Sequence, residues 1–153
     1  MEINIPIEEQ KINVIKWLDA LLSGKYKQTI NRLGSFERGY CCWGLGCDII
    51  NIPFDPEEGW NYLLYEYIGF NNKYGLIEPN VNSIDNKGLD YLNDYLKLNF
   101  KEIAAYLIEY SNYNFSPEIS VHIDEYYKNK EEVKNLIKEL KANYIIKEEE
   151  ICE

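Results

Sequence analysis

The chain has 153 residues, 46% apolar and 27% charged, a size at which one hydrophobic core suffices. A domain of this length buries about 70% of the surface its unfolded chain exposes, so stability requires neither a metal nor a disulfide. Acidic residues outnumber basic ones 26 to 16, and the formal charge of -10 sets the surface against DNA and RNA except through a local basic patch.

Four cysteines include the adjacent pair Cys41 and Cys42, which do not ordinarily bridge each other, and no basic-then-apolar leader stands before the first helix. A secreted disulfide scaffold is therefore disfavoured and a reducing cytoplasm is the expected compartment. The longest apolar runs, such as Leu63-Leu64-Tyr65, fall far short of the ~20 residues needed to cross a bilayer. No membrane partner is expected.

Pro6 followed by Glu8 and Glu9 reads as a helix start, because proline is pre-set for the first turn and carboxylates complement the dipole there. Ile12, Ile15, Trp17, Leu18, Leu21 and Leu22 form an apolar stripe, and Gly24 supplies a left-handed stop, which predicts a helix over Ile7–Ser23. From Lys25 to Tyr40 the periodicity is lost, and Gly34 and Gly39 mark a loop or a short hairpin. In Cys41 to Ile50, strand alternation would align Cys41, Trp43, Leu45, Cys47 and Ile49, whereas a helix would bring Cys42 and Gly46 together. A short helix is the expected form, its glycines permitting near approach of a neighbour despite a helix cost of ~1 kcal/mol each.

Trp60 to Ile68, ended by Gly69, reads as another helix. Between Phe70 and Lys87 the frequent Asn, Gly and Pro predict an irregular connection with a brief strand or turn at Leu76-Ile77, the best candidate for a mobile flap. Asn99 and Glu102 form a capping-box pair ahead of Ile103, Ala104, Leu107 and Ile108. Ile119, Val121 and Ile123 alternate with Ser120, His122 and Asp124, which predicts an edge strand after Pro117. The segment of about residues 130–147 repeats Val133, Leu136, Ile137, Leu140 and Ile145 amid dense charge, an amphipathic terminal helix suited to packing on a second subunit. The expected architecture is a single α+β domain, predominantly α-helical, of about five helices with a short hairpin or small sheet.

Charge is distributed unevenly. Gly24 to Tyr40 holds four basic residues against Glu37 and carries +3, while the other 136 residues carry -13. Guanidinium and ammonium groups beside Gln28, Thr29 and Asn31 offer the forked donors, point charge and neutral hydrogen bonds that phosphate recognition requires. The candidate ligand residues are Lys25, Lys27 and Arg32 for phosphate or pyrophosphate, Gln28 for ribose or base, and Tyr26 or Tyr40 for stacking, with Arg38 a weaker member. The competing reading is that these cations pair with the protein's own carboxylates, as surface ions commonly do, and that the aromatic residues belong to the core.

Catalytic constellations are weaker. Cys41, Cys42 and Cys47 lack the paired spacing of zinc sites, and His122, the only histidine, lies 75 positions beyond Cys47. The cysteines read as small buried hydrophobes, Cys152 as incidental, and no metal or cofactor is expected. His122 with Asp124 and a cysteine would make a thiol hydrolase only if the fold brought them together. Glu57-Glu58 and Asp90 with Asp94 are acidic pairs that this composition produces by chance. There is no phosphate loop, dinucleotide fingerprint or nucleophile elbow.

Trp17, Ala20-Leu21, Ser23-Gly24, Tyr26, Gln28, Leu33, Tyr40-Cys41-Cys42, Gly44 and Cys47-Asp48, followed by Tyr67-Ile68-Gly69, Leu92-Asn93-Asp94 and Ile103-Ala104 through Ile108-Glu109, make the chain resemble a widespread group of small bacteriophage proteins. The resemblance spans about residues 17–109. The chain departs from the group at Trp43 and Leu45-Gly46, where leucine and valine-leucine are usual, and in its added tail. The resemblance implies a viral accessory protein working in the cytoplasm of an infected bacterium.

Joined to the basic island, that origin leads to the expectation of a homo-oligomeric, non-enzymatic anti-defence sponge for a small nucleotide-derived immune signal. The alternatives are an acidic inhibitor docking on a host protein and an enzyme cleaving a phosphodiester in such a signal.

Overall fold

The computed structural model describes residues 4–81, 88–144 and 146–147. Helix α1 occupies Ile7–Ser23, entered through Pro6 and closed by Gly24 at a left-handed φ of 75°. Its buried face is Asn13, Val14, Trp17, Leu18 and Leu21, so the apolar stripe is rotated from the one read in the sequence. Ile12 is left 57% exposed, because the neighbouring elements cover the Val14–Trp17 side.

A hairpin follows, with β1 (Gly34–Ser35) antiparallel to β2 (Gly39–Tyr40) and a parallel bridge from Gln28 to Tyr40 adding a third, minimal edge. Helix α2 then covers Cys42–Ile50. The Cys41 sulfur caps it by accepting from the Gly44 amide at 3.3 Å, and the chain leaves through Asn51 in the left-handed region. Two glycines make this helix fit. A Cβ on Gly44 would collide with the Leu33 carbonyl, and one on Gly46 would lie 2.8 Å from Leu64 Cδ2 and 3.0 Å from the Trp17 ring. Helical geometry therefore prevails over strand alternation here, because close packing replaces the stability that glycine forfeits.

Helix α3 is limited to Leu64–Ile68, shorter than the predicted Trp60 to Ile68. Asn61 takes the Leu63 amide with its side chain, forming a local turn instead of a helix, while the Trp60 ring stacks on Trp43 at 4.3 Å. The segment after Gly69 is tied to the helical body rather than free of it. Asn71 N–H donates to the Asn114 carbonyl, Glu78 N–H to the Asn114 side chain, and Tyr106 hydroxyl to the Pro79 carbonyl. These bonds run against the flap expected there up to Pro79; residues 82–87, the rest of that flap, lie outside the described residues.

A π-helical turn, Tyr91–Tyr95, precedes α4 (Phe100–Glu109), whose capping box is complete: Asn99 Oδ1 accepts from Glu102 N–H at 2.8 Å and Glu102 Oε1 from Asn99 N–H at 2.9 Å. The one-turn helix α5 (Ser111–Asn114) leads to α6 (Pro117–Tyr127). The predicted edge strand is thus a helix. Ile119, Ile123 and Tyr127 recur every four residues and are buried, while Val121, which the strand reading placed beside them, is 55% exposed. Pro117 at the first helical position favours this outcome.

Helix α7 (Glu131–Asn143) buries Val133 and Leu140 and packs on α4 within this chain, with Leu136 and Ile137 partly buried. It stops short of the predicted end at 147. Instead β4 (Ile146–Lys147) pairs antiparallel with β3 (Asn80–Val81). Ile145 and Cys152 lie outside the described residues. The two long-range packers are α1, which touches α2, α3, α4 and α6, and α4, which touches α1, α6 and α7. Among the described residues the fold is predominantly helical, with five major helices and two minimal strand pairs. No described helix is long and apolar enough to cross a membrane.

Candidate functional site

The six sequence-nominated residues occupy one loop and its hairpin but divide by direction. Lys25 and Lys27 are exposed, and Tyr26 between them is half-buried, its ring edge-on to Phe36 and Tyr40 at 6.2 Å each. Gln28 turns inward. Its amide donates to Asn93 Oδ1 and to the Leu98 carbonyl, both at 2.8 Å, so it serves as a strut between the loop and the π-helical turn rather than as a contact for ribose or base.

Tyr40 is also part of the architecture. It is only 2% exposed, and its hydroxyl donates to the Asp48 carboxylate on α2. Burial first, and then the bonded carboxylate, raise the phenol well above its usual range. Its ring has no open face on which a base could stack.

The cations differ in the same way. Arg38 is paired with Glu57 at 2.7 Å on the surface, which neutralises it locally. Among the described residues, Lys27 reaches the Glu37 carbonyl, at 3.4 Å, and no carboxylate. Lys25 and the half-buried Arg32 have no carboxylate within ion-pair distance among the described residues. Beside Lys25 lies an open cleft of about 400 Å³ bordered by Lys16, Asp19, Lys25, Tyr26 and Ile49. Asp19 is occupied by the hydroxyls of Tyr127 at 2.8 Å and Tyr126 at 3.3 Å, which donate to its two oxygens. The cleft thus gathers two ammonium groups, that of Lys25 from the loop and that of Lys16 from α1, with one aromatic edge and the Asp19 carboxylate. Lys27 and Arg32 are not among the residues bordering it.

Lys16 was not singled out in the sequence, although its signal is there. Lys16, Ala20 and Ser23 share one face of α1 at helical spacing, and that face runs directly into Lys25.

The other chemical groups are placed apart. Cys41, Cys42 and Cys47 are free thiols buried at the start and middle of α2. Burial pushes Cys41 up to about 11 and Cys47 up to about 12, and raises Cys42 well above its ordinary value, so all three are protonated near neutrality and poor nucleophiles. His122 and Asp124 stand two apart on helix α6, a spacing that turns them to different faces, and Asp124 instead accepts from the Ser111 hydroxyl at 3.0 Å. Among the described residues, no cluster of three or more His, Cys, Asp or Glu side chains is arranged to hold a metal ion.

A buried polar junction that the sequence did not reveal binds these parts together. Asn93, 1% exposed, accepts from Gln28 and from the Cys42 amide at 3.1 Å, and donates to the Thr29 carbonyl at 2.9 Å and Asp94 at 2.7 Å. Trp17 completes the junction by donating from its indole to the Cys42 carbonyl at 2.8 Å. Residues 9–81 match the family model of a domain of unknown function, DUF8296, a region running from the first turn of α1 to β3 and containing the loop, hairpin and α2. No curated protein and no solved structure matches the chain.

Proposed function

We propose that the protein is a non-enzymatic sponge that sequesters a small phosphorylated, nucleotide-derived ligand at the cleft beside Lys25. The observation that carries this reading is that Lys25, in a chain with a formal charge of -10, borders a cleft together with Lys16 and is not neutralised by a described carboxylate. Two ammonium groups supply point charge to phosphate oxygens, and the exposed edge of Tyr26 supplies an apolar contact. Lys27 and Arg32 on the same loop raise the local positive potential, while the acidic remainder repels long polyanions and leaves the loop selective for small ones. In this reading the protein acts in the cytoplasm of an infected bacterium, as an accessory to a virus, by lowering the free concentration of an immune signal.

Isothermal titration against cyclic dinucleotides and linear and cyclic ADP-ribose derivatives tests the proposal. Saturable heat with one or more of them, abolished by the double change Lys16→Glu and Lys25→Glu, and recovery of intact ligand on heating the complex, are expected. Silence across that panel sinks the reading. Turnover of the ligand would assign the site to an enzyme instead. The strongly acidic surface favours a second reading, docking on a host protein; host-protein capture that survives the double change would support it.

A further inference from the structure

A second cleft, of about 380 Å³, lies on a different side of α1, between the chain preceding that helix, α3 and the start of α6. Its chemistry is opposite to that of the Lys25 cleft. No lysine or arginine borders it, and its polar groups include the side chains of Asn4, Gln10, Glu66, Asn71 and Ser116. Two of their oxygens, Glu66 Oε2 and Ser116 Oγ, are buried without a hydrogen-bond partner among the described residues. Buried polar atoms are nearly always bonded, so two orphans in one cleft mark a place where the fold presents polar groups it does not itself use, one a carboxylate acceptor and one a hydroxyl able to accept.

The carboxamides sharpen this. Gln10 donates through Nε2 to the Ile5 carbonyl at 2.8 Å, and Asn71 through Nδ2 to the Tyr113 carbonyl at 2.9 Å, which assigns the remaining end of each amide to an acceptor oxygen. Gln10 Oε1 lies against Gly69, 2.9 Å from where a Cβ there would stand. The other Glu66 oxygen accepts from the Tyr65 hydroxyl at 3.1 Å, leaving Oε2 as an acceptor with no partner among the described residues. The elements that border the cleft also begin with carboxylates, Glu8 and Glu9 on α1 and Glu118 on α6, and Pro117 removes the first amide donor that an anion would use at α6.

We propose that this cleft binds the ammonium group of a small alkyl amine. Such a group brings three N–H donors and one positive charge to Glu66 Oε2, Ser116 Oγ and the carboxamide oxygens, while the rings of Tyr65 and Phe70 flank the alkyl portion. Both orphaned oxygens become bonded, and the Glu66 charge is matched by a charge-assisted bond. Phosphate and carboxylate ligands are rejected by the same groups. The site is independent of the proposal for Lys25, since it shares no residue with that cleft.

Titration of the full chain with butylammonium and with 1,4-diaminobutane, followed by amide NMR, tests the assignment. Expected are saturable shifts of the Gln10 and Asn71 side-chain amide signals. Glu66→Gln, which keeps size and removes charge, should weaken binding by about tenfold or more, and Ser116→Ala by less. Tetramethylammonium, which has charge but no N–H donor, and butanol, which has no charge, should both fail to compete. Absence of saturable shifts with either amine overturns the proposal, as does equal binding of tetramethylammonium or unchanged affinity in a natively folded Glu66→Gln protein. If Glu66→Gln does not fold, Ser116→Ala and the two control ligands decide on their own.

Discussion

Gln28 and Asn93, 65 positions apart, are joined by a 2.8 Å hydrogen bond from the Gln28 amide to Asn93 Oδ1, and this bond fastens the basic loop to the π-helical turn. Because Asn93 also holds the Cys42 amide and the Thr29 carbonyl, one side chain sets the positions of the loop, the start of α2 and the approach to α4. Asn93→Ala leaves those two backbone groups buried without that partner, at about 1–3 kcal/mol each. A fall of about 2–5 kcal/mol in unfolding free energy is expected, read from urea denaturation as a lower midpoint.

Within the loop, the proposed ligand contact and structural support are separable. Lys25→Glu should change stability by less than about 0.5 kcal/mol, since the side chain is exposed and has no ion-pair partner among the described residues, yet should reverse the proposed attraction for phosphate. Gln28→Ala should do the opposite first: a loss of about 1–3 kcal/mol in stability, with weaker binding following from a displaced loop. Thermal melts with titration calorimetry on both variants distinguish the two effects.

Gly44→Ala is expected to be among the most damaging small changes. The added methyl would overlap the Leu33 carbonyl, a backbone atom that cannot swing aside. Overpacking of this kind costs about 1–3 kcal/mol. Soluble yield and melting temperature of the variant check it, with an exposed-site alanine, Asn112→Ala, as the control.

Alkaline pH should destabilise the protein. The unfolded chain releases its thiol protons around pH 9, whereas native Cys41 holds its proton to about 11 and Cys47 to about 12 because burial disfavours the thiolate. Between those limits the folded state binds more protons than the unfolded one, so stability falls as pH rises. The raised phenols of Tyr40, Tyr106 and Tyr127 extend the decline above pH 10. The melting temperature should therefore be level near neutrality and drop above pH 9, with a shallower slope in Cys47→Ala. At neutral pH, Cys41, Cys42 and Cys47 should resist alkylation in the folded protein and react once urea unfolds it, as peptide mass spectrometry would show.

Local signals were the legible ones. The bounds of α1, the capping box at Asn99 and Glu102, and the helical form of α2 all depend on residues within a few positions of one another. Pro117 to Tyr127 misled because Ile119, Val121 and Ile123 fit a period of two locally, while the fours-spaced burial of Ile119, Ile123 and Tyr127 is decided by the elements they meet. The loop's charge was equally visible, but the inward turn of Gln28 depends on Asn93 and Leu98, and the burial of Tyr40 depends on Asp48 across the helix start. Residue type identified the side chains able to bind phosphate; the distant partners decided that Gln28 and Tyr40 were already committed. Trp17, Gln28, Cys42 and Asn93, well separated in sequence, belong to one bonded junction.

The stacking of Trp60 on Trp43, with Trp17 edge-on to Trp43 at 6.0 Å, gathers all three indoles of the chain into one chromophore cluster. Intrinsic emission and near-ultraviolet dichroism will thus report on α1, α2 and the turn before α3 as a unit, with strong coupling between the transition dipoles. Helix α7 carries no tryptophan, so melting confined to it would leave the indole signals nearly unchanged and must be followed by another label.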